Sequence, residues 1–373
     1  MKKNNLKIAL TIGLIFLTGI TGSMGVVYGQ TKSRTKTTAT RKSGSTGGAV
    51  RNLLNSPDSD VWIRKGKSGI IISKDSLGAV RAMTPYSVNS AGAKRYAEAV
   101  SEYARILKNE GVRVYSILAP SQGEYYMPEL TSTRGAEQKT IEASAKAFDP
   151  ELVTAVLVCD TLMNHVDEEI YNRTDHHWSP LGGYYAAKAL AAAAGVPFRP
   201  LSDYTTGVVK NYVGTMYKFS GDPEIKKYPE EFVYYMPPEG YESEFITYKI
   251  SNGKTVGEGA PYKSNFFKKV ADGSVSAYCT FMGGDQSTVK VTNTGGTPGR
   301  KLLLVKDSYG NAMASNLFGS FEEVHVIDFR YFPHNLVDYV RKNGITDLVF
   351  VNALSIGVSP KTAARFNTML KQK

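Results

Sequence analysis

Short, mainly apolar runs alternate with stretches of helical spacing through much of the chain, and this alternation constrains the possible folds most strongly. A helical stretch at 91–110 ends at Gly111 and is followed by the apolar run 112–120. Strands that are apolar throughout are typical of parallel sheets covered by helices on both faces. The pattern therefore predicts a doubly wound α/β fold with a mostly parallel sheet. Further strands are predicted at 155–159, 301–306, 324–329 and 347–351, with helices at about 135–147, 161–166, 180–194, 310–318 and 334–343.

The interval from about 200 to 300 departs from this alternation. It is rich in Tyr, Gly and Pro and contains short alternating runs, such as V-Y-Y-M-P-P-E-G-Y-E. We interpret it as a β-rich insertion between units of the sheet. Such an insertion commonly forms one wall of a cleft, and its aromatic side chains either pack between strands or stack on sugars. With this insertion, residues 51–373 are numerous enough for one large domain.

The N-terminal segment predicts an association with a membrane. Lys2, Lys3 and Lys7 precede an uncharged run at 8–27, which has about the 20 residues that a bilayer-spanning helix needs. Positive charge before such a run keeps the N-terminus in the cytoplasm and directs the remainder outside. The segment 1–27 is either a retained membrane anchor or a signal peptide cleaved near V-Y-G-Q. We therefore expect a single-pass membrane protein with its domain outside, or a secreted protein.

Residues 28–50 form a basic linker that is poor in apolar side chains and is predicted to be disordered. The formal net charge of the chain is +11, from 45 basic and 34 acidic side chains. The first 51 residues contain nine Lys and Arg and no acid, so 36 basic side chains face 34 acidic ones in the remainder. Nucleic-acid binding by the folded part is therefore not indicated, whereas a basic stalk suits an anionic cell envelope.

The two cysteines, Cys159 and Cys279, each lie in an apolar run that is typical of a strand. One disulfide is possible outside the cell, but we expect two buried free thiols. Neither cysteine has a His or Cys nearby at the spacing of metal ligands.

The stretch Tyr171–Tyr185, Y-N-R-T-D-H-H-W-S-P-L-G-G-Y-Y, concentrates two of the chain's five histidines beside an acid. Ser179 followed by proline is typical of a helix N-cap and first turn. Asp175, His176 and His177 therefore precede a helix N-terminus, where backbone amides favour an anion or a developing oxyanion. The alternative is a local role, in which a histidine packs or caps and the aspartate acts as a second N-cap.

A second candidate segment is K-L-L-L-V-K-D-S-Y-G, in which an apolar strand leads into Asp307, Ser308 and then a helix. This order places the serine hydroxyl at the carboxyl end of a parallel strand, where open α/β sheets bind ligands. The amides of Ser308 and Tyr309 would then face the atom that the serine attacks. An ordinary N-cap is the alternative role of this serine.

A serine nucleophile needs a base and an acid that orients the base. His177 and Asp175 can supply both, because alternate residues of an extended loop point the same way. His176 is the alternative base, and spacing alone does not choose between the two histidines.

Five segments resemble the DHHW family of bacterial envelope proteins, and the similarity spans about residues 60–355. They are T-D-H-H-W-S-P-L-G-G-Y-Y, L-A-P-S-Q-G-E-Y-Y, G-T-M-Y, F-M-G-G-D and L-L-L-V-K-D-S-Y-G-N-A. That family looks related to SGNH hydrolase-like proteins that acetylate alginate and, more distantly, to the D-alanyl transfer protein of teichoic acid synthesis. The resemblance implies an SGNH hydrolase-like fold with permuted motif order, in which the Asp-x-His pair precedes the serine.

The resemblance also implies roles: Ser308 is the nucleophile, His177 the general base and Asp175 its orienting carboxylate. The chain departs from the pattern at Asp285, where the family more often shows Asn, and at Lys306, where related G-D-S blocks have glycine. A carboxylate at Asp285 would repel a negative intermediate, which leaves the amides of Gly283 and Gly284 or the side chain of Asn352 as oxyanion donors. The further candidates for binding substrate, stabilising the oxyanion or supporting the triad are His176, Trp178, Asp307, Tyr309, Gly283, Gly284, Arg330 and Asn352.

These features together predict a serine-dependent O-acyltransferase outside the cytoplasm that acetylates an envelope polysaccharide or exopolysaccharide through an acyl-Ser308 intermediate. No metal or organic cofactor is required by this chemistry. Acetyl-CoA is cytoplasmic, so we expect a membrane-bound O-acyltransferase as the partner that supplies the acyl group. If water replaces the sugar hydroxyl, the same site is a carbohydrate acetylesterase.

Two other functions remain open from the sequence. D-H-H also names a family of metal-dependent phosphoesterases, but such sites need several more Asp and His ligands than His165, His325 and His334 offer in their positions. The other alternative is a non-catalytic, polysaccharide-binding scaffold. It is suggested by the departures from the family pattern at Asp285 and Lys306.

Overall fold

A computed structural model describes residues 62–75, 78–128, 133–251 and 254–372. The predicted membrane segment, the predicted basic linker and the first residues of the predicted domain lie outside these ranges. Within them, no helix combines the length and the hydropathy that a bilayer span requires.

Strands and helices alternate along the described chain, as the sequence predicts. The strands are β1 (Trp62–Lys65), β2 (Ile71–Lys74), β3 (Val80–Met83), β4 (Arg113–Ala119), β5 (Val153–Ala155), β6 (Thr205–Tyr212), β7 (Glu230–Met236), β8 (Glu242–Ile246), β9 (Tyr248–Ser251), β10 (Lys254–Glu258), β11 (Tyr262–Lys263), β12 (Thr288–Thr292), β13 (Thr297–Lys306), β14 (Phe321–Asp328) and β15 (Asp347–Ala353). The helices are α1 (Ser90–Leu107), α2 (Gly123–Tyr126), α3 (Ala136–Ala147), α4 (Cys159–Met163), α5 (Pro180–Ala194), α6 (Met216–Ser220), α7 (Tyr309–Ala314), α8 (Leu336–Asn343), α9 (Leu354–Gly357) and α10 (Pro360–Met369).

The central sheet has eight strands in the order β11-β8-β12-β14-β13-β15-β4-β5. The five strands from β14 to β5 are parallel to their neighbours in this series, which confirms the predicted α/β fold with a mostly parallel sheet. Strands β12, β8 and β11 extend the sheet with antiparallel pairing. Part of the β-rich interval thus continues the central sheet, while β6–β7 and β9–β10 form separate two-stranded ribbons.

The central strand β13 is buried on both faces, as its uninterrupted apolar sequence predicts. Leu302 and Leu304 pack on the face that carries α5 and α7, whereas Leu303 and Val305 pack on the face that carries α1, α8 and α10. All four side chains are fully buried, and each such burial stabilises the fold by about 1.5–3 kcal/mol. The strand therefore holds its carboxyl end in a fixed position.

Helix α5 begins and ends where its sequence predicts. The Ser179 hydroxyl accepts a hydrogen bond from the Gly182 amide at 3.2 Å, Pro180 occupies the first turn, and Gly195 ends the helix in a left-handed conformation. Gly183 lets α5 approach α7 closely, because a Cβ atom at this position would lie 2.8 Å from the carbonyl oxygen of Ala312. This contact brings the loop before α5 to the carboxyl end of β13.

Two predictions about the cysteine-containing runs were wrong. Strand β5 ends at Ala155, and Cys159 begins α4 instead of ending a strand. Cys279 lies in a short 3₁₀ turn, Ala277–Thr280, and is partly exposed. A short apolar run does not distinguish a strand from a helix or turn that is also packed against the core. Both thiols are free, and Cys159 is buried.

Candidate active site

The loop before α5 and the end of β13 bring three sequence-predicted side chains into one hydrogen-bonded chain. His177 Nδ1 lies 2.6 Å from Asp175 Oδ2, and His177 Nε2 lies 2.7 Å from Ser308 Oγ. The histidine and the serine are 131 positions apart in the sequence. An acid, an imidazole and a hydroxyl in this order have the geometry needed to remove a proton from serine.

Ser308 occupies the N-cap position of the short helix α7, but its hydroxyl does not cap the helix. The hydroxyl instead contacts His177 Nε2. In the part of the chain that the structure describes, the Ser308 amide donates to no acceptor. The serine thus presents both a hydroxyl and an amide that the fold itself does not use.

Asp175 is almost completely buried, and Thr215 supports its second oxygen. Both the amide of Thr215, at 2.9 Å, and its hydroxyl donate to Asp175 Oδ1. Gly214 permits this contact, because a Cβ atom there would lie 2.4 Å from the Asp175 Cβ. Burial opposes ionisation, yet His177 and His176 hold the pKa of Asp175 well below its usual value. The carboxylate therefore stays ionised in the interior.

The His177 ring is held between Asp175 and an aromatic side chain that sequence reasoning missed. Tyr278 stacks on the imidazole with ring centroids 3.8 Å apart and planes 4° apart. Burial lowers the pKa of His177 below its usual value, and Asp175 only partly opposes this effect. At neutral pH the imidazole is therefore uncharged, with Nδ1 donating to Asp175 and Nε2 accepting from Ser308.

His176 lies beside His177 without contacting the Ser308 hydroxyl. Its Nδ1 lies 2.7 Å from Thr215 Oγ1, and its ring centroid lies 3.8 Å from that of His177. Of the two histidines that the sequence left as alternatives, His177 makes the contact that a base requires. His176 shares Thr215 with Asp175 and supports the loop.

Asp175, His176 and His177 also form the one group in the described chain whose donor atoms could hold a metal ion together, all within 4.8 Å. However, Asp175 Oδ2 and His177 Nδ1 are only 2.6 Å apart. Two ligands about 2 Å from a tetrahedral ion lie roughly 3.3 Å apart, so the short separation fits a hydrogen bond better than shared coordination.

The other three histidines are hydrogen-bonded to glutamates outside this group. They pair with glutamates as follows: His165 with Glu168, His325 with Glu323 and His334 with Glu258. The described residues therefore do not assemble the larger ligand set that a DHH-type phosphoesterase needs.

Ser308 opens into a pocket of about 210 Å³. The pocket lies at the carboxyl ends of β4, β13, β14 and β15, where ligands bind in open α/β sheets. Its walls include Gln122, Glu137, His176, Met216, Tyr309 and Arg330. Gly283, Gly284, Trp178 and Asn352 do not line it.

Most of the oxyanion donors considered from the sequence are engaged elsewhere. The Tyr309 amide donates to Asp307 Oδ1 at 3.0 Å, and the Gly284 amide donates to the Phe281 carbonyl at 2.9 Å. Asn352 is fully buried. Its Oδ1 accepts from a tyrosine hydroxyl on the α1 face at 3.4 Å. The donor group of Asn352, Nδ2, has no partner among the described residues but is buried, and Asn352 does not line the pocket. These groups are therefore poorly placed to bind a substrate oxygen in the pocket.

Asp285 and Lys306, the two departures from the family pattern, contact each other. Lys306 Nζ lies 3.1 Å from Asp285 Oδ1 and 3.0 Å from Asp328 Oδ2. Arg330 Nη2 lies 2.7 Å from Asp285 Oδ2 and 2.6 Å from Asp328 Oδ2. Although partial burial opposes ionisation, Lys306 and Arg330 hold the pKa of Asp285 below its usual value. The four side chains, here called the Arg330 cluster, have no net charge.

Three further predicted side chains support the serine turn. Asp307 accepts hydrogen bonds from the amides of Tyr309 and Ala353, and burial raises its pKa to about 6. Trp178 is buried, and its Nε1 donates to the Tyr309 carbonyl at 2.9 Å. The Tyr309 hydroxyl in turn donates to the His176 carbonyl. These contacts tie the loop before α5 to the start of α7.

Two supporting residues come from segments that resemble the family pattern but for which the sequence indicated no role. Thr215 belongs to G-T-M-Y, and Gln122 belongs to L-A-P-S-Q-G-E-Y-Y. The Gln122 amide group donates to the carbonyls of Ala82 and Asp175, each at 2.9 Å. Tyr278 had no comparable signal in the sequence.

A family model described as DHHW protein matches residues 63–327. A solved DHHW family protein from Eubacterium siraeum is 34% identical, with 82% of this chain and 98% of that chain covered and a TM-score of 0.71. No curated protein matches the chain.

Two structures of Bacillus cereus PatB1 are more distant. One is 18% identical, with 79% of this chain and 99% of that chain covered and a TM-score of 0.61. The other carries a sulfonyl adduct and is 16% identical, with 79% and 96% covered and a TM-score of 0.60. At this level of identity the likeness concerns the fold alone.

Proposed function

The chain belongs to the DHHW protein family, and we propose that it is a serine-dependent O-acyltransferase that acetylates a cell-envelope polysaccharide. The observation that carries this proposal is the continuous contact from Asp175 through His177 to Ser308, with separations of 2.6 and 2.7 Å. The imidazole is buried and uncharged, so it is ready to accept a proton. The hydroxyl faces a pocket that admits a small acyl group.

In the first step, His177 Nε2 takes the proton of the Ser308 hydroxyl while Oγ attacks the acyl carbonyl of the donor. Asp175 stabilises the imidazolium that forms. The tetrahedral intermediate collapses, and the leaving group of the donor takes the proton from the imidazolium. An acetyl ester of Ser308 remains.

In the second step, a sugar hydroxyl replaces the leaving group. His177 Nε2 removes the proton of that hydroxyl, and the sugar oxygen attacks the acetyl carbonyl. Collapse of the second intermediate returns the proton to Ser308 Oγ and releases the acetylated sugar. Water in place of the sugar gives acetate, which is the esterase alternative.

The proposal includes three finer points. The fold is SGNH hydrolase-like with permuted motif order, because the acid and base of the triad precede the serine in the sequence. The domain works outside the cytoplasm, and a membrane-bound O-acyltransferase supplies its acetyl group. The β-rich interval contributes to the site through Thr215 and Tyr278, which lie against Asp175 and His177.

The contacts of Asp285 and Lys306 remove the reason for considering a non-catalytic scaffold. These two side chains pair with each other at 3.1 Å, so neither places an unpaired charge beside Ser308. The hydroxyl-to-imidazole contact remains intact beside them.

The test combines purified protein, p-nitrophenyl acetate and oligosaccharides prepared from an envelope polysaccharide. We expect p-nitrophenol release together with acetyl esters on the sugar, and loss of both in Ser308→Ala. Ser202→Ala, at an exposed serine, serves as the matched control. Unchanged turnover in Ser308→Ala would exclude the nucleophile, whereas acetate without acetylated sugar would identify an esterase.

A further inference from the structure

Acyl transfer at Ser308 creates a negative oxygen twice, and the site needs donors for it. Donors prearranged around such an oxygen are usually the largest single contribution to this kind of catalysis. Asp285 is a carboxylate and offers no donor, and the amides of Tyr309 and Gly284 already donate within the protein. The Ser308 amide is one donor left, and a second is required.

Arg330 is held rigidly by two carboxylates. Its Nε donates to Asp328 Oδ1 at 2.9 Å, and its Nη2 donates to Asp328 Oδ2 at 2.6 Å and to Asp285 Oδ2 at 2.7 Å. Three of the five N–H groups of the guanidinium therefore donate to carboxylates within the protein. A bidentate arrangement of this kind fixes the plane of the guanidinium.

The remaining nitrogen of Arg330, Nη1, has no acceptor among the described residues. The side chain is 32% exposed and lines the same pocket as Ser308. A rigid cationic group with a free pair of N–H donors thus lines the pocket that must hold the acyl carbonyl. The pocket contains no other arginine or lysine among its described lining residues.

We propose that Arg330 Nη1, together with the Ser308 amide, binds the oxyanion of the tetrahedral intermediate. This inference rests on the proposed function and assigns a catalytic role within it.

The inference also explains why a carboxylate at position 285 is tolerated. Asp285 accepts hydrogen bonds from Arg330, Lys306 and Asn311, so its charge is neutralised and directed at the guanidinium. Lys306 balances the second acid of the Arg330 cluster, because Asp328 would otherwise leave the cluster with a net negative charge. Asp285 thus positions Arg330 instead of facing the oxyanion itself.

The test measures the acylation burst with p-nitrophenyl acetate in two variants. Arg330→Lys keeps the charge of the Arg330 cluster but loses the fork. The double variant Asp285→Asn with Arg330→Gln keeps the cluster neutral and leaves the Lys306–Asp328 pair, which preserves folding. We expect the acylation rate constant to fall by about 100-fold or more in both variants, with KM changed by less than threefold. Arg341→Gln, at an exposed arginine, is the matched control and should behave as wild type.

Phenylboronic acid provides a second readout, because it forms a tetrahedral anion on an active serine. Its affinity should fall in parallel with the acylation rate, an effect that a merely structural role of Arg330 would not produce. Thermal unfolding checks that each variant is folded, and either folded variant decides the question. A wild-type burst with rates within threefold in the variants would overturn this inference alone. A missing burst in the wild type would instead overturn the proposed function.

Discussion

Replacing Asp175 with asparagine should force His177 into the wrong tautomer. Thr215 donates twice to Asp175 Oδ1, through its amide at 2.9 Å and through its hydroxyl. An asparagine must therefore place its carbonyl oxygen at that position, since an NH₂ group there would face two donors. Its NH₂ group then occupies the Oδ2 position, 2.6 Å from His177 Nδ1.

The consequence reaches Ser308 through the imidazole. Nδ1 facing an NH₂ group must accept a hydrogen bond, so the ring proton moves to Nε2. A protonated Nε2 points its hydrogen at Ser308 Oγ and cannot take the serine proton. General-base catalysis is typically worth 10²–10⁴ in rate, or about 3–5 kcal/mol, and Asp175→Asn should lose an amount in this range.

The assay is the pre-steady-state release of p-nitrophenol from p-nitrophenyl acetate at pH 7.5 or so, where wild-type His177 is neutral. Asp203→Asn makes the same chemical change at an exposed acid and should keep the wild-type rate. Thermal unfolding of both variants checks the fold. An acylation rate for Asp175→Asn within tenfold of wild type would refute the tautomer argument.

Three further predictions concern pH and packing. Because His177 must be neutral to act as a base and its pKa lies below the usual value near 6.5, the acylation rate should fall in acid with a midpoint below about pH 6.5; a midpoint above 7 would contradict this. Burial raises the pKa of Glu137 from 4.5 to about 7, so its contribution to stability is complete below pH 4.5 and about 3 kcal/mol is lost as pH rises through 7; denaturant titrations of Glu137→Gln should lack this loss, and an unchanged pH dependence would count against it. Gly214→Ala would place a Cβ atom 2.4 Å from the Asp175 Cβ; we expect about 1–3 kcal/mol of destabilisation and slower acylation, and wild-type behaviour in both would show that the contact is not tight.

The sequence predicts four of the five parallel strands of the central sheet, β4, β13, β14 and β15, because these strands are largely apolar on both faces. The sequence also predicts the end of β13 and the start of α5. A strand that leads into D-S and a Ser-Pro helix start are both local sequence signals. Local sequence signals also predict Ser308 and the Asp175–His177 pair as site residues.

Residues whose roles depend on distant contacts could not be predicted in this way. Tyr278 stacks on His177 from a 3₁₀ turn about a hundred positions later, and nothing around it distinguishes it from the many other tyrosines of the β-rich interval. Thr215 lies in a segment that the resemblance highlighted, but its contact with Asp175 depends on how β6 and α6 pack.

The candidate oxyanion donors also could not be chosen from the sequence alone. The sequence indicated Gly283, Gly284 and Asn352 because of their positions in or near family motifs. Whether an amide is free depends on its hydrogen bonds, and the Gly284 amide donates to Phe281 in a tight turn. Arg330 is the stronger candidate because of its contacts with Asp285 and Asp328, which its sequence position does not reveal.

The most direct test of the account is the mass of the protein after brief reaction with a fluorophosphonate at neutral pH, followed by mapping of the modified peptide. We expect one adduct, located on Ser308, that forms quickly in the wild type and at least 100-fold more slowly in His177→Ala. An unmodified wild-type protein, or an adduct on another residue with Ser308 untouched, would contradict the claim that His177 and Asp175 make Ser308 a nucleophile.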